Sequence, residues 1–456
     1  MLRIFRHYVS RMAFVLFVGD VLVLLTSFYV AALSGAWVGA GPLAPKFLAV
    51  TIIVVFVLNL GDMYDIRLPL GRREVVARLL TCQAAAGLLI AAISFTEPML
   101  RLGRLAFFEI TAGTTLGLIA WRAVSLGAWT LESMKARVLV VGGAPLGETI
   151  AELEPASARP FSIIGFIDDD PGAADALPAP YVLLGKTKDL AALIDETHPD
   201  LVLVAQIDRR GQFPTKALLD CRLRGTQVED WPTFFEKATG KILVKGIRPS
   251  WLIFADGFVK TPRTEIVKRL FDIGISLATL ILALPVMVIV AVAIRLESPG
   301  PVLYRQPRLG RSGCVFILNK FRSMRQNAEQ ETGPVWAKDR DSRVTRVGGV
   351  LRRTRLDELP QLFNVLIGHM SFIGPRPERP EFVEELQKQI PYYMERLAVK
   401  PGITGWAQVR YRYGSSVEDA IEKLQYDLYY IKNLSPFLDL LILINTVQVV
   451  LFARGR

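Results

Sequence analysis

The stretch 12–33, MAFVLFVGDVLVLLTSFYVAAL, contains one charged residue, Asp20, in an otherwise apolar run. Its length is close to the roughly 20 residues that an α-helix needs to cross the hydrocarbon core of a bilayer. The whole chain of 456 residues is 51% hydrophobic, and its mean hydropathy of +0.34 is high for a soluble protein. The sequence therefore predicts a membrane protein.

Three further apolar runs follow along the chain: 46–64, 79–96 and 105–126. Basic residues cluster before the first run, between the second and third, and after the fourth. Because basic loops remain in the cytoplasm, we predict a four-helix transmembrane bundle over 1–130 with both ends cytoplasmic. Asp20 and Glu109 lie within or near these spans. Such charges are either functional or hydrogen-bonded structural residues, and both readings stay open.

Charge and composition limit the classes of function. Lys and Arg number 54 against 43 Asp and Glu, so the net charge is +11. A basic, apolar chain is expected to face anionic lipid or phosphate. No nucleic-acid-binding motif points to DNA or RNA. The three cysteines and three histidines are scattered, which argues against a disulfide framework, a zinc site and Ser-His-Asp chemistry.

Residues 136–250 alternate strand-like and helix-like segments, which predicts a small Rossmann-like α/β domain with a parallel sheet. The segment ARVLVVGGAPLGETIAEL (136–153) reads as strand, glycine turn and helix. Ala144 stands where a dinucleotide fingerprint has its second glycine. The acidic triplet 168–170 lies where a ribose-binding acid is found. We favour a regulatory or structural role over nucleotide binding.

A fifth apolar segment, 270–294, is interrupted by Pro285 and has basic residues on both flanks. Proline in a helix interior removes a hydrogen bond and kinks the helix. Two basic flanks both favour the cytoplasm. The residues alone leave two readings open: a re-entrant helix that breaks at Pro285 and a kinked span.

The segment LRRTRLDELPQLFNVLIG (351–368) places an acid pair, Asp357 and Glu358, in a basic setting. The simplest interpretation is a solvated helix start. A second interpretation is a carboxylate nucleophile for a diphosphate substrate, with repulsion relieved by arginines or a bridging Mg²⁺. Guanidinium groups suit phosphate oxygens. The candidate phosphate-binding residues are Arg305, Lys320, Arg322, Arg355, Arg376 and Arg379.

From about residue 262 to the end, the chain resembles the bacterial sugar transferase family. The matching motifs are KRLFD (268–272), LPVM (284–287), GPVLYRQPRLG (300–310), NKFRSM (319–324), LRRTRLDELPQLFNVLIG (351–368), GPRPE (374–378), KPGITGWAQV (400–409) and DLYYIKN (427–433). These monotopic phosphoglycosyl transferases move a sugar phosphate from a UDP-sugar to polyprenyl phosphate. The four spans and the α/β domain resemble long-form members that start exopolysaccharide or O-antigen assembly.

The resemblance implies a mainly α-helical catalytic domain over 262–456, with a re-entrant helix at about 270–294 that breaks at Pro285. It implies that Asp357 is the nucleophile, that Glu358 is its partner, and that Mg²⁺ is required, with both carboxylates as candidate ligands. It places the domain on the cytoplasmic side of the bacterial inner membrane. Two departures from the family pattern are His369 and the pair 410–411.

The expected reaction converts a UDP-sugar and undecaprenyl phosphate into undecaprenyl-diphosphate-sugar and UMP. The enzyme would be a hexose or N-acetylhexosamine phosphotransferase that works by a ping-pong mechanism. Because every motif follows residue 262, residues 1–260 are expected to be dispensable for the chemistry. The alternatives are a non-catalytic scaffold of a polysaccharide assembly complex and a nucleotide-sensing regulator. The sugar and a homodimeric state are left open.

Overall fold

The computed structural model describes residues 2–4, 7–9, 11–34, 42–65, 71–129, 135–156, 161–205, 214–244, 249–259, 261–326, 343–411, 414 and 416–451. The chain forms two compact units: the first contains 8–239, and the second contains 240–456 together with 3–7, so the main boundary lies between Thr239 and Gly240. This boundary lies before the predicted end of the α/β domain at 250 and before the predicted start of the catalytic domain at 262.

All four predicted spans of the first third form helices. They are α1 (Arg11–Leu33), α2 (Leu43–Leu60), α3 (Arg72–Thr96) and α4 (Arg104–Trp129), after two short strands, β1 (Leu2–Ile4) and β2 (His7–Val9). Helix α3 begins earlier than predicted because the basic segment before the apolar run is also helical. There Arg78 forms an i,i+4 ion pair of 2.7 Å with Glu74.

Four helices in the described part of the chain are long and apolar enough to cross a membrane. They are Met12–Leu33, Leu43–Leu60, Arg72–Thr96 and Pro262–Glu297. Helix α4 is not in this set, and it carries Glu109, Arg122 and several glycines and threonines. The finding supports a membrane protein, while the crossing of α4 and the four-span bundle stay predictions.

The two acidic residues that lie within or near the predicted spans, Asp20 and Glu109, have partners. The Asp20 carboxylate lies 2.8 Å from the Arg122 guanidinium, and both side chains are buried. Glu109 accepts a hydrogen bond of 2.6 Å from the Ser34 hydroxyl. A buried charge is expensive unless it is paired. These contacts favour the structural interpretation of Asp20 and Glu109.

The predicted parallel α/β sheet is confirmed. Its elements are β3 (Ala136–Val141), α5 (Gly147–Ala156), β4 (Phe161–Ile167), β5 (Leu183–Gly185), α6 (Leu190–Thr197), β6 (Leu201–Val204), α7 (Thr215–Leu223), β7 (Gln227–Asp230) and α8 (Trp231–Thr239). The strands pair in the order β5-β4-β3-β6-β7, all parallel. This order, with the first strand in the centre, is that of the first five strands of the Rossmann fold.

The second unit is mainly helical. Its elements are α9 (Pro249–Phe254), α10 (Pro262–Glu297), β8 (Leu303–Leu309), β9 (Val315–Phe321), α11 (Arg346–Thr354), α12 (Gln361–Ile367), β10 (Ser371–Ile373), α13 (Pro380–Gln389), β11 (Gly402–Thr404), α14 (Trp406–Arg410), α15 (Val417–Lys432) and α16 (Pro436–Leu451). Strands β8 and β9 form an antiparallel hairpin, and β10 pairs with β11 in parallel.

Helix α10 continues through Pro285, so the proline does not end the helix. Thr261 caps its first turn by accepting the N–H of Thr264 at 3.3 Å, and Pro262 occupies a first-turn position that needs no hydrogen-bond donor. The helix is therefore continuous at Pro285, where the sequence predicted a break. The re-entrant course of the helix through a membrane stays a prediction.

Residues 240–244 precede α10 but pack within the second unit. Ile242 and Val244 are buried in its main core. The indole N–H of Trp406 donates to the carbonyl of Gly240 at 2.9 Å. This linker is therefore part of the helical unit, although every catalytic motif predicted from the sequence follows it.

We expect a chain that starts at Gly240 to be more stable than one that starts at Thr261. Burial of a valine or isoleucine contributes about 1.5–3 kcal/mol, which is a large part of the roughly 5–15 kcal/mol of a typical domain. Thermal unfolding midpoints of both truncations in the same detergent would check this. Equal midpoints would show that the contacts of Ile242 and Val244 contribute little.

Candidate active site

The second unit contains a cavity of about 970 Å³. Its wall includes the acid pair, Asp357 and Glu358, together with basic side chains from four separate parts of the chain. These basic residues are Arg308, Lys320, Arg322, Arg325, Arg343, Arg352, Arg355, Arg376, Arg379, Arg396 and Lys423. A concave site with converging charged groups is the expected form of a binding site for a charged ligand.

A backbone reversal places the acid pair in the cavity wall. Arg355 ends α11 in the left-handed conformation, with φ of +59°, a position that glycine usually occupies. One turn of 3₁₀-helix, Leu356–Glu358, follows before α12. Asp357 and Glu358 are each only 8% exposed. The interpretation as a solvated helix start is therefore wrong.

Glu358 is surrounded by three cations. Its Oε1 accepts a hydrogen bond of 3.0 Å from Arg376 Nη2 and lies 3.7 Å from both Lys320 Nζ and Arg355 Nη1. Burial raises its pKa, but Arg376, Lys320 and Arg355 outweigh burial and lower the pKa to about 2. Glu358 is therefore a fixed anion that holds these cations around the cavity.

Asp357 has a different environment from its neighbour. Its carboxylate forms no hydrogen bond or close ion pair with residues in the described ranges. Burial, followed by the charge of Glu358, raises its pKa, while Lys320, Arg376 and Arg352 act in the opposite direction. One carboxylate is thus locked in an ionic cluster, and the other is available to react.

The β8–β9 hairpin supplies basic groups on one face only. Lys320 lies opposite Tyr304, and the alternating residue Arg308 also lines the cavity. Arg305 lies one residue out of phase, opposite Asn319, and is exposed and does not line the cavity. Because side chains alternate across a strand, the period-two spacing of 304, 306 and 308 in the sequence could have identified this face.

The other sequence-predicted basic residues have different surroundings. Arg322 lines the cavity but donates to the carbonyls of Ser298 and Pro299, at 2.8 and 3.0 Å, so it caps the end of α10. Arg379 also lines the cavity and lies 5.8 Å from the centre of the Phe382 ring. Arg376 and Arg355 contact Glu358 directly, as described above.

A buried joint in the cavity wall, formed by Arg396 and Asp427, was not predicted. Arg396 donates to Asp427 at 2.8 Å, to the Tyr393 hydroxyl at 2.7 Å and to the Arg376 carbonyl at 3.2 Å. Burial raises the pKa of Asp427 to about 6, although Arg396 opposes the shift. The joint fixes the backbone of Arg376, whose side chain holds Glu358. Arg396 lies 20 residues from Arg376 and 31 residues from Asp427, so no local motif reveals the joint.

Two of the residues that depart from the family pattern, Arg410 and Tyr411, lie in the second unit, which contains the cavity. The Arg410 guanidinium stacks over Trp406 at 4.6 Å from the ring centre. Tyr411 lines the cavity, and its hydroxyl donates to Asp419 at 2.7 Å. This bond, followed by burial, raises the pKa of Tyr411 to about 12, so the hydroxyl stays protonated.

Comparison with known proteins identifies the class. The sequence model of the family described as bacterial sugar transferase matches residues 263–453, and that of a CoA-binding domain matches residues 59–206. The first match covers the whole cavity with its acid pair. The chain belongs to the bacterial sugar transferase family.

Three curated relatives illustrate the similarity. The UDP-N-acetylgalactosamine-undecaprenyl-phosphate N-acetylgalactosaminephosphotransferase of Aeromonas hydrophila is 43% identical over 52% of this chain and 55% of its own length. The undecaprenyl-phosphate glucose phosphotransferase of Komagataeibacter xylinus is 32% identical over 70% of this chain and 60% of its own. The exopolysaccharide production protein PSS of Rhizobium leguminosarum bv. phaseoli is 42% identical over 40% of this chain and 94% of its own. The chain thus spans just over half of the Aeromonas relative.

The CoA-binding family implies a ligand for the α/β domain. In the glycine turn, the N–H of Ala144 donates to the Asp168 carboxylate at 3.1 Å, so this donor is not available to a phosphate. The Asp168 carboxylate therefore lies beside this turn, and Asp169 and Asp170 follow it in the sequence. At Gly147, where α5 begins, a Cβ would approach Pro178 to 2.9 Å, so the chain covers the helix start. The described residues of this turn do not fit the anionic groups of CoA.

Proposed function

We propose that this protein transfers a sugar-1-phosphate from a UDP-sugar to undecaprenyl phosphate and releases UMP. The observation that carries the proposal is the Asp357 carboxylate, which has no hydrogen bond or ion pair among the described residues and lies beside Glu358 in a cavity lined by cations. The names of the relatives support the same substrates but include both glucose and N-acetylgalactosamine. The sugar is therefore not assigned, and the product is expected to begin exopolysaccharide or O-antigen assembly.

Two displacements at one phosphorus account for the reaction. Asp357 Oδ attacks the phosphorus that carries the sugar, a bond to Asp357 forms, and the bridging P–O bond breaks, so UMP leaves with the electron pair. A phosphate oxygen of the acceptor then attacks the same phosphorus. The bond to Asp357 breaks, which regenerates the carboxylate. Lys320 and Arg376 stabilise the negative charge on the transferring group.

The donor set of the cavity fits Mg²⁺. Within the described ranges, no three His, Cys, Asp or Glu side chains are close enough to hold a metal by themselves. Mg²⁺ is usually held by one or two carboxylates together with water and substrate phosphates, and the adjacent carboxylates of Asp357 and Glu358 suit this. The ion would neutralise diphosphate charge. Asp357 is the more available ligand because Glu358 already binds three cations.

Release of UMP tests the function. Purified full-length protein would be incubated with undecaprenyl phosphate and a panel of UDP-sugars, with Mg²⁺ or with excess EDTA. We expect UMP and a lipid-linked sugar phosphate with at least one donor, and loss of both in EDTA. A protein that releases no UMP with any donor would favour the scaffold or the nucleotide-sensing regulator. Full activity in EDTA would contradict the metal requirement.

We expect donor use to decline in alkaline solution. Burial, assisted by Arg376 and Arg308, lowers the pKa of Lys320 to about 8 against the opposing charge of Glu358. Lys320 is therefore charged below pH 8 and loses its charge above it. We expect kcat/KM for the UDP-sugar to fall about tenfold per pH unit above 8, because this ratio reports the free enzyme.

The Lys320→Arg variant should remove this alkaline limb, since arginine keeps its charge. Lys388→Arg, on an exposed part of α13, is the matched control and should leave the profile unchanged. A parent profile that stays flat to pH 9.5 would contradict the assignment of Lys320 as a phosphate-binding cation.

Contacts at the two ends of α10 support the re-entrant course. Glu265, near its start, forms an ion pair of 2.9 Å with Arg311, which lies in the hairpin after its end. Glu297, at its end, accepts the N–H of Val347 at 3.1 Å. Between these ends the helix exposes Leu282 and other large apolar side chains. Two ends that bind one polar domain are expected to lie on the same side of a bilayer.

Thiol labelling tests this topology. Cys314 is exposed and follows α10, so a variant with Cys82→Ser and Cys221→Ser probes that side. Arg263→Cys, in a chain without the three native cysteines, probes the start of the helix. Both thiols should resist a membrane-impermeant reagent in intact cells and react in inside-out vesicles. Labelling of the two sites from opposite sides would contradict the re-entrant course.

A further inference from the structure

The wall of the catalytic cavity is not charged throughout. Besides the ionic cluster around Asp357, it includes Thr279 from the middle of α10 and Thr446, Val449 and Val450 from the end of α16. We call these four residues the apolar passage. Thr446 donates its hydroxyl to the Ile442 carbonyl at 2.7 Å, so it offers little free polarity to the cavity.

The apolar passage lies where two helices with exposed apolar side chains, α10 and α16, border the cavity. Helix α10 exposes Leu282, which lies one helical turn beyond Thr279 on the same side of the helix, at 80%. Val450 lines the cavity and is also 53% exposed, so the cavity reaches the outer surface at an apolar residue. Exposed apolar side chains on such helices are expected to contact lipid.

We propose that the apolar passage is where the polyprenyl chain of the acceptor leaves the cavity for the membrane. This inference rests on the proposed function, in which the acceptor carries one anionic phosphate and a long hydrocarbon chain. A UDP-sugar has no apolar chain and has no use for such a wall. The acceptor phosphate lies with the cations beside Asp357, and its first isoprene units lie between Thr279 and Val450.

Bulky substitutions that narrow the passage test the proposal in full-length protein. Val450→Trp and Thr279→Trp should raise the KM for undecaprenyl phosphate by at least about tenfold, because a few lost methylene contacts have effects of this size. Release of UMP in a single turnover without acceptor should be unchanged, since the donor does not use the passage. Leu440→Trp, on an exposed part of α16 outside the cavity wall, is the matched control and should leave both values unchanged.

The measurement separates this inference from the proposed function. Two results would overturn the assignment of the apolar passage to the polyprenyl chain: an unchanged acceptor KM in both tryptophan variants, or an equal loss of donor turnover and acceptor transfer. Neither result would count against the chemistry at Asp357. If a tryptophan variant unfolds, Val450→Ala supplies the same test, with a raised acceptor KM expected and an unchanged one contradictory. Failure of the parent protein to release UMP without acceptor would instead count against the two-step chemistry.

Discussion

The Asp357→Asn variant is expected to lose at least about 10³-fold in turnover and to remain folded. The amide has nearly the same shape as the carboxylate but is not a nucleophile. Burial and the charge of Glu358 raise the pKa of Asp357, so the ionised group costs stability at neutral pH. The thermal unfolding midpoint should therefore stay the same or rise.

Two measurements check this variant. UMP release reports turnover, and mass spectrometry of the parent protein with donor alone should detect a phosphosugar on Asp357 that the variant lacks. Glu384→Gln, on an exposed part of α13, is the control and should be fully active. Near-normal UMP release by Asp357→Asn would exclude Asp357 as the nucleophile.

Patterns with a local physical cause could be predicted from the sequence. Apolar runs of membrane-spanning length gave α1 to α4, and alternating strands and helices gave the parallel sheet. The boundaries were less accurate. The charged segment before the third run extends α3 to Arg72, because its helical turn is stabilised by the pair of Glu74 and Arg78, which hydropathy does not register.

The candidate site required the tertiary structure. Arg305 and Arg308 look equivalent in sequence, but the hairpin register turns only Arg308 towards the cavity. Arg322 looks like a phosphate ligand, but it caps α10. The joint of Arg396 and Asp427 connects segments that are distant in sequence. Charge and residue type identify candidates, while strand alternation and long-range pairing decide which of them meet.

The Glu358→Gln variant is expected to lose both activity and stability. The three cations around Glu358 lower its pKa from the usual 4.5 to about 2, so its ionised form stabilises the fold above pH 4.5. A shift of this size corresponds to about 3 kcal/mol, which glutamine would lose at neutral pH. Lys320 would also lose the neighbour that most favours its charged form, so its pKa should fall further and weaken phosphate binding. We expect turnover to fall by about 10²-fold or more.

The two adjacent carboxylates should therefore respond with opposite signs when each is neutralised. Asp357→Asn removes a charge that the fold disfavours, and Glu358→Gln removes one that the fold requires. Thermal unfolding midpoints of both variants and the parent at pH 7, in one detergent, give the comparison. If the thermal unfolding midpoint of Glu358→Gln were equal to or above that of Asp357→Asn, the positions of the cations around Glu358 would not depend on its charge. The ionic cluster would then not be what holds Lys320 and Arg376 at the cavity.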